Sequence, residues 1–146
     1  MVYHSINTGD SYPIKQRAYR ASSIKQDHIQ KEIEIMEKDS IIQKLESPWS
    51  FPVVLVKKKN RKLQFCVDFR KLNSTTKKDT YPLPRIDEIL DNLGNAKWFT
   101  SLDLTSGYWQ VEVKEEDKEK TTFITKFGLY EFNIMLFELC NAPSTF

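Results

Sequence analysis

Asp103 closes an apolar run in the stretch WFTSLDLTSGYWQV (98–111), and Ser106-Gly107 breaks the pattern before Tyr108-Trp109. A carboxylate at the end of a buried strand has two readings. It can cap the turn behind it, because a side-chain oxygen accepts from orphan backbone N–H groups. It can also hold a hard divalent cation, since Mg²⁺ takes carboxylate oxygens and leaves room for phosphate. One carboxylate is not a metal site, so the second reading needs partners from elsewhere. Lys57, Lys58, Lys59, Arg61 and Lys62 form a second candidate. They read either as a solvated turn or as a flexible clamp for a triphosphate or a nucleic-acid backbone. Glu112, Glu115, Glu116, Asp117 and Glu119 are interleaved with Lys114, Lys118 and Lys120, which reads most simply as a solvated face. Cys66 and Cys140 lie far apart with no CxxC pattern, fitting a reducing compartment and giving no zinc signal.

The elements that must position these groups are mixed α and β. The chain has 146 residues, 40% hydrophobic and 12% aromatic, enough for the core of one ordinary domain. Net charge is +2, from 22 basic and 20 acidic residues, so the overall balance names no polyanionic partner. No apolar run approaches the ~20 residues of a membrane span, and the N-terminus reads as lacking a signal-peptide core. Residues 1–21 read as an extended, surface-hugging arm. Ser23 and Gln26 match a capping box, and Ile29, Ile33 and Met36 predict a helix over about 24–38. Ile41, Ile42 and Leu45 continue the spacing roughly. FPVVLVK (51–57) and KLQFCVDF (62–69) predict a β-hairpin. YPLPRI (81–86) begins extended, because each residue before a proline is pushed out of the α region. A short helix follows with Ile86, Ile89, Leu90 and Leu93 on one side and Gly94 as its stop. KWFTSLDL predicts a strand, and TTFIT with LYEFNI a second hairpin around Phe127-Gly128.

Several strings, in order, carry more than any one of them: HSINTGD, SPWSFPVVLVKKK, FCVDFRKLN, YPLPRIDEIL, FTSLDLTSGYWQV, KTTFIT, GLYEFNIM and LCNAPSTF. In these the chain resembles the N-terminal part of the reverse transcriptase domain of gypsy-type long-terminal-repeat retrotransposons, from about His4 to Phe146. The resemblance implies an α+β fold: a fingers subdomain plus a partial antiparallel palm sheet. It divides the chain into an arm (about 1–21), mainly fingers (about 22–96), then partial palm and a return to fingers (about 97–146).

The implied activity is template-directed dNTP addition by two-metal phosphoryl transfer in the complete domain. Asp103 corresponds to the first catalytic carboxylate, with the Leu104 carbonyl as a further ligand for Mg²⁺ or Mn²⁺. Lys58, Ser106, Gly107, Tyr108 and Phe137 fall at nucleotide-binding positions, with Lys58 on the γ-phosphate and Tyr108 as the gate against a ribose 2′-hydroxyl. Asp68, Arg70, Asn141 and Pro143 fall at positions facing nucleic acid. Implied partners are an RNA or DNA template-primer, dNTPs, and the rest of a Pol polyprotein: remaining palm, thumb, RNase H and integrase. No membrane partner is implied. Implied compartments are the cytoplasm, within a virus-like particle if the element is intact, and the nucleus.

The sequence also departs from the family. It contains no adjacent Asp-Asp pair, so the hairpin with the other two catalytic acids is expected downstream of Phe146. Gln64 stands in place of an arginine, Leu136 in place of a proline, Glu138 in place of a glycine, and Ser40 in place of the glycine ending the first helix. A second class therefore stays open: a decayed, non-catalytic remnant or a nucleic-acid-binding module. A palm missing strands is expected to show an unfinished edge and to aggregate.

The hairpin-tip reading has a direct test. Replacing Lys57, Lys58 and Lys59 together with alanine is expected to weaken nucleic-acid binding equally on every sequence. The salt slope should also flatten, by roughly 0.7–0.9 per lost phosphate contact. Anisotropy titrations at several salt concentrations measure both effects, and unchanged affinity would leave the tip a solvated turn.

Overall fold

A computed structural model describes residues 2–82 and 84–146. Leu83, in the middle of YPLPRI, lies outside the described residues. The expected first helix forms as α1 (Ser23–Lys38), burying Ile29, Ile33 and Met36 on one stripe. The capping box does not form. Ser22 is the cap, without a side-chain bond, and Gln26 N donates to the Ser22 carbonyl at 2.9 Å. The helix ends in a Schellman turn: Ile41 N reaches Met36 O at 2.9 Å and Ser40 N reaches Glu37 O at 3.0 Å. Ser40 takes φ +56°, the left-handed conformation that glycine adopts without strain. Ile41 and Ile42 thus leave the helix, and Ile42 begins β2 (Ile42–Lys44).

Both expected hairpins form. β3 (Phe51–Lys57) pairs antiparallel with β4 (Leu63–Val67), in register from Val53↔Val67 to Lys57↔Leu63. Its tip is closed by Lys58 N to Lys62 O and Arg61 N to Lys58 O, each 2.9 Å. β4 ends at Val67 and not at residue 69, because Phe69 caps the short helix α2 (Arg70–Thr75). The second hairpin is β6 (Phe123–Thr125) with β7 (Gly128–Phe132). Parallel pairing of β3 with β6, Phe51↔Phe123, merges the two hairpins into a mixed sheet of order β2-β7-β6-β3-β4. Its core holds Phe51, Phe69, Leu72, Phe123, Phe132 and Met135, all buried.

The arm does more than hug the surface. β1 (Tyr3–His4) runs parallel to β5 (Glu112–Val113), and His4 and Ile6 are buried. Asp117, on the one-turn helix α4 (Glu115–Lys118), accepts from Ile6 N at 2.9 Å and from Lys120 Nζ at 2.6 Å. Lys120 Nζ also donates to Ile6 O at 2.7 Å. The acidic run is therefore not simply a solvated face: Asp117 is 5% exposed and grips the arm. A charge-assisted hydrogen bond network of this kind offsets the cost of burying its members. His4 Nδ1 lies 2.9 Å from Thr145 Oγ1 on α5 (Ala142–Thr145), and burial pushes its pKa below the ordinary histidine value.

The α+β class stands, with the sheet mixed where an antiparallel palm sheet was expected. The strand expected at KWFTSLDL does not form. Residues 97–104 join neither sheet, and Trp98 and Leu102 are 92% and 85% exposed. A strand needs a neighbour to take its N–H and C=O groups, and no described strand pairs with this segment. The next helix, α3 (Ile86–Leu93), forms on local signals alone, with none of its residues buried. Gly94 is its C-cap, with a right-handed φ of −57°.

Ser40 gives a stability test. Left-handed backbone costs an L-residue ~1–2 kcal/mol, partly offset because glycine gains entropy when unfolded. Ser40→Gly is therefore expected to stabilise the chain by about 0.5–1 kcal/mol in urea denaturation. A loss of stability would mean that the serine hydroxyl contributes more than the strain costs.

Candidate functional site

A cleft of about 490 Å³ opens along the outer edge of β4. Five stretches line it: Glu32 and Met36 of α1, the hairpin tip running on into β4 as far as Val67, Trp109, Phe132 of β7, and Leu136 to Glu138. Each wall has a local cause. The tip projects because β3 and β4 pair right up to Lys57↔Leu63. The segment after β7 is bound to the other side of the domain by Met135 N to Val111 O, 2.8 Å, and Val113 N to Asn133 O, 3.0 Å. Asn73 of α2 then fixes its end: the side-chain amide donates to Glu138 O at 2.7 Å and accepts from Cys140 N at 3.1 Å.

The cleft brings together Lys58, Phe137, Gln64, Leu136 and Glu138, which lie far apart in sequence. It also contains residues that sequence reasoning gave no role. Trp109 follows the gate position Tyr108, and Cys66 lies inside the FCVDFRKLN string, as does Asn73. The signal was present in that string, but nothing local told a buttress from a bystander.

Charge in the cleft is divided. Lys58 and Lys62 stand on the tip, Glu32 on α1 and Glu138 on the opposite wall. Glu138 Oε2 is buried without a hydrogen-bond partner. Burial pushes the Glu138 carboxyl above its ordinary range, with the facing Cys66 thiol only partly opposing this. Burial, and then the charge of Glu138, push Cys66 up to about 11.

Asp103 is elsewhere. It is exposed on the unpaired segment and lines none of this cleft, and the Leu104 side chain is also exposed. Among the described residues no three His, Cys, Asp or Glu side chains converge on a metal-sized space. Asp103 and the Leu104 carbonyl therefore do not make a two-metal site by themselves. After them the expected tight turn is present. Ser106 adopts φ +52° and caps a 3₁₀ turn, Gly107–Gln110, with Trp109 N donating to Ser106 O at 2.9 Å. Gly107 faces the Phe146 ring, and a Cβ there would come within 2.9 Å of Phe146 Cζ. The Tyr108 ring lies 5.0 Å from the Phe146 ring, so Tyr108 packs against the residue that ends α5.

On another face, Asp68 accepts from Arg70 Nε at 2.8 Å and Nη2 at 2.6 Å, and from Tyr19 Oη at 3.0 Å. The Arg70 hydrogen bonds hold the Asp68 carboxyl down at about 2. The pair fixes an otherwise exposed guanidinium beside Gln16, Lys71 and Ser74. Asn141 is committed to the chain itself: its side chain accepts from Asp79 N at 3.0 Å and donates to Lys77 O at 2.9 Å. Pro143 is exposed on the first turn of α5, and Phe137 is exposed at the cleft.

Residues 56–146 match the family model described as "Reverse transcriptase (RNA-dependent DNA polymerase)". The chain is 43% identical over 148 residues to the Pol polyprotein of transposon gypsy from Drosophila melanogaster, with 97% of this chain and 14% of that protein covered. Among solved structures it resembles a prototype foamy virus protease–reverse transcriptase at TM-score 0.82 and 26% identity, covering 97% of this chain and 19% of that one. A foamy viral protease–reverse transcriptase in complex with an RNA/DNA hybrid superposes at TM-score 0.76 and 21% identity, with 97% and 19% covered. The chain thus spans a small share of the length of these relatives.

The contact behind Tyr108 can be tested by a double-mutant cycle. Gly107→Ala must displace the Phe146 ring, and overpacking of this kind costs ~1–3 kcal/mol. In a Phe146→Ala background the same substitution is expected to cost almost nothing. Equal costs in both backgrounds, read from urea denaturation, would show that the ring contact does not require glycine.

Proposed function

The chain belongs to the reverse transcriptase (RNA-dependent DNA polymerase) family, and from that premise we propose that it supplies the fingers and the start of the palm of a retrotransposon polymerase. In the complete domain it would help to add dNTPs to a primer under template direction. The observation that carries this reading is the cleft: Lys58, Gln64, Trp109, Phe137 and Glu138, from separate segments, share one wall-to-wall space. Lys58 on the tip would hold the terminal phosphates as a mobile point charge. Trp109 and Phe137 give apolar area beside it. Tyr108, held by Phe146, would sit where a ribose 2′-hydroxyl has to be excluded. The Asp68-oriented guanidinium of Arg70 presents fixed donors to a template phosphate. Asn141 would act on the template indirectly, by holding residues 77–79, with Pro143 beside it on α5.

Mg²⁺, or Mn²⁺ in its place, is proposed only for the complete domain. It would supply charge stabilisation for in-line displacement. The described residues offer it one carboxylate, Asp103, and further carboxylates would come from elsewhere in the polyprotein. Partners in this reading are a template-primer, dNTPs and the remaining polyprotein, in the cytoplasm or nucleus.

Glu138 favours a second reading, a decayed and non-catalytic copy. An acid in a phosphate cleft opposes an anionic ligand, and Gln64 supplies no compensating cation. A chimera with the remaining palm and thumb of an active relative separates the two. It is expected to incorporate dNTPs in a template-dependent manner and to lose this with Asp103→Asn. Its kcat/KM should fall roughly ten- to a hundredfold below the relative, because each lost charge-assisted bond costs ~1.5–3 kcal/mol. Gln64→Arg with Glu138→Gly should recover most of it. A folded chimera with no incorporation, even after both reversions, overturns the polymerase reading in favour of the remnant.

A further inference from the structure

Resting on the reading of the cleft as an anion site, we propose that Glu138 makes it a proton-gated one: the cleft takes polyphosphate when Glu138 is protonated and rejects it when Glu138 is ionised. Three observations carry this. Glu138 lines the same space as Lys58 and Lys62, so a polyphosphate gripped by the tip inside that space shares it with the Glu138 side chain. Its Oε2 is buried and without a hydrogen-bond partner, and among the described residues no lysine or arginine pairs with it within 4.0 Å. Its backbone is clamped by Asn73 on one side and by the turn from Leu136 O to Leu139 N on the other. The side chain is therefore attached to a fixed wall and cannot be carried off with a mobile loop.

Burial makes the Glu138 carboxyl cheaper to keep neutral than charged, a bias that its own backbone N–H and the Cys66 thiol only partly oppose. Burial raises its pKa, which moves the change of charge towards neutral pH. The groups facing the cleft from every wall are Glu32 on α1, Lys58 and Lys62 on the tip, Cys66 on β4 and Glu138 itself. On α1, His28 Nε2 lies 3.7 Å from Glu32. Burial keeps Cys66 a neutral thiol across the neutral range, at about 11. Glu138 is the wall carboxyl whose change of charge burial moves upward, and with it the charge of the space it shares with the tip. Ionised, it sets a like charge against a phosphate in a partly desolvated space. Protonated, it becomes a hydrogen-bond donor to a phosphate oxygen.

The test is binding of inorganic triphosphate, without metal, to the purified 146-residue chain. Calorimetric titrations are run at about pH 5 and pH 8, with thermal melts confirming a folded sample at each. Binding is expected to be about tenfold tighter at the lower pH. Glu138→Gln, and independently Glu138→Gly, should abolish that gain. The triphosphate's own protonation works in the opposite direction, and it is common to all the proteins. Lys58→Ala should weaken binding at both pH values. If the wild type and both Glu138 variants share one pH profile while Lys58→Ala still loses affinity, the gate is wrong and the anion cleft stands. If Lys58→Ala binds as tightly as the wild type, or nothing binds at either pH, both are overturned.

Discussion

Phe123 is where two separate hairpins become one sheet. It is wholly buried, and its ring meets Phe65 of β4 at 5.5 Å, Tyr130 at 5.6 Å and Phe132 at 5.1 Å on β7. Through its backbone it also stands opposite Phe51 in the parallel pairing of β3 with β6. That ladder is short, Phe51↔Phe123 and Pro52↔Ile124. Its few net hydrogen bonds, ~1 kcal/mol each, would not hold two hairpins together unaided. Burying one large aromatic side chain contributes ~1.5–3 kcal/mol, and each ring pair about 0.5–1.5 more. The aromatic cluster decides the architecture, and the ladder records its register.

The candidate site inherits its geometry from that junction. β4 is an edge strand because β3's other side is taken by β6, so the cleft has an open wall on which other segments can lie. The segment after β7 is drawn across this edge and secured by Asn73 and by its bonds to Val111 and Val113. The N-terminal arm secures the far side through Asp117, Lys120 and Ile6. Rigid elements thus support the cleft-lining residues. The carboxylate at Asp103 has no such support, since its segment belongs to neither sheet.

This uneven support bears on function. A charged hairpin tip and an oriented guanidinium are assembled within the chain. Metal-assisted displacement needs several carboxylates held to a fraction of an ångström, and the described residues bring only Asp103 to that place. The exposed apolar residues follow the same division: Ile86, Leu90, Trp98, Phe99 and Leu102 cluster in the stretch that includes Asp103.

Where the deciding forces are local, the sequence read correctly. α1, the two hairpins and the turn at Ser106-Gly107 follow from helical spacing, alternation and breaker residues, and they stand as expected. The ordered motif strings were sufficient for the family. The sequence misled where a local pattern needed a distant partner. KWFTSLDL has a strand's residues, but pairing is a property of two segments, and no described strand pairs with it. The acidic run looked solvated because a count of charges cannot reveal that Ile6, more than a hundred positions away, presents its backbone to Asp117. Glu138 could be flagged from sequence as an odd acid. Only the tertiary structure decided that it lies buried against Cys66 and opposite Lys58, because burial and facing depend on how β4 and the segment after β7 are brought together.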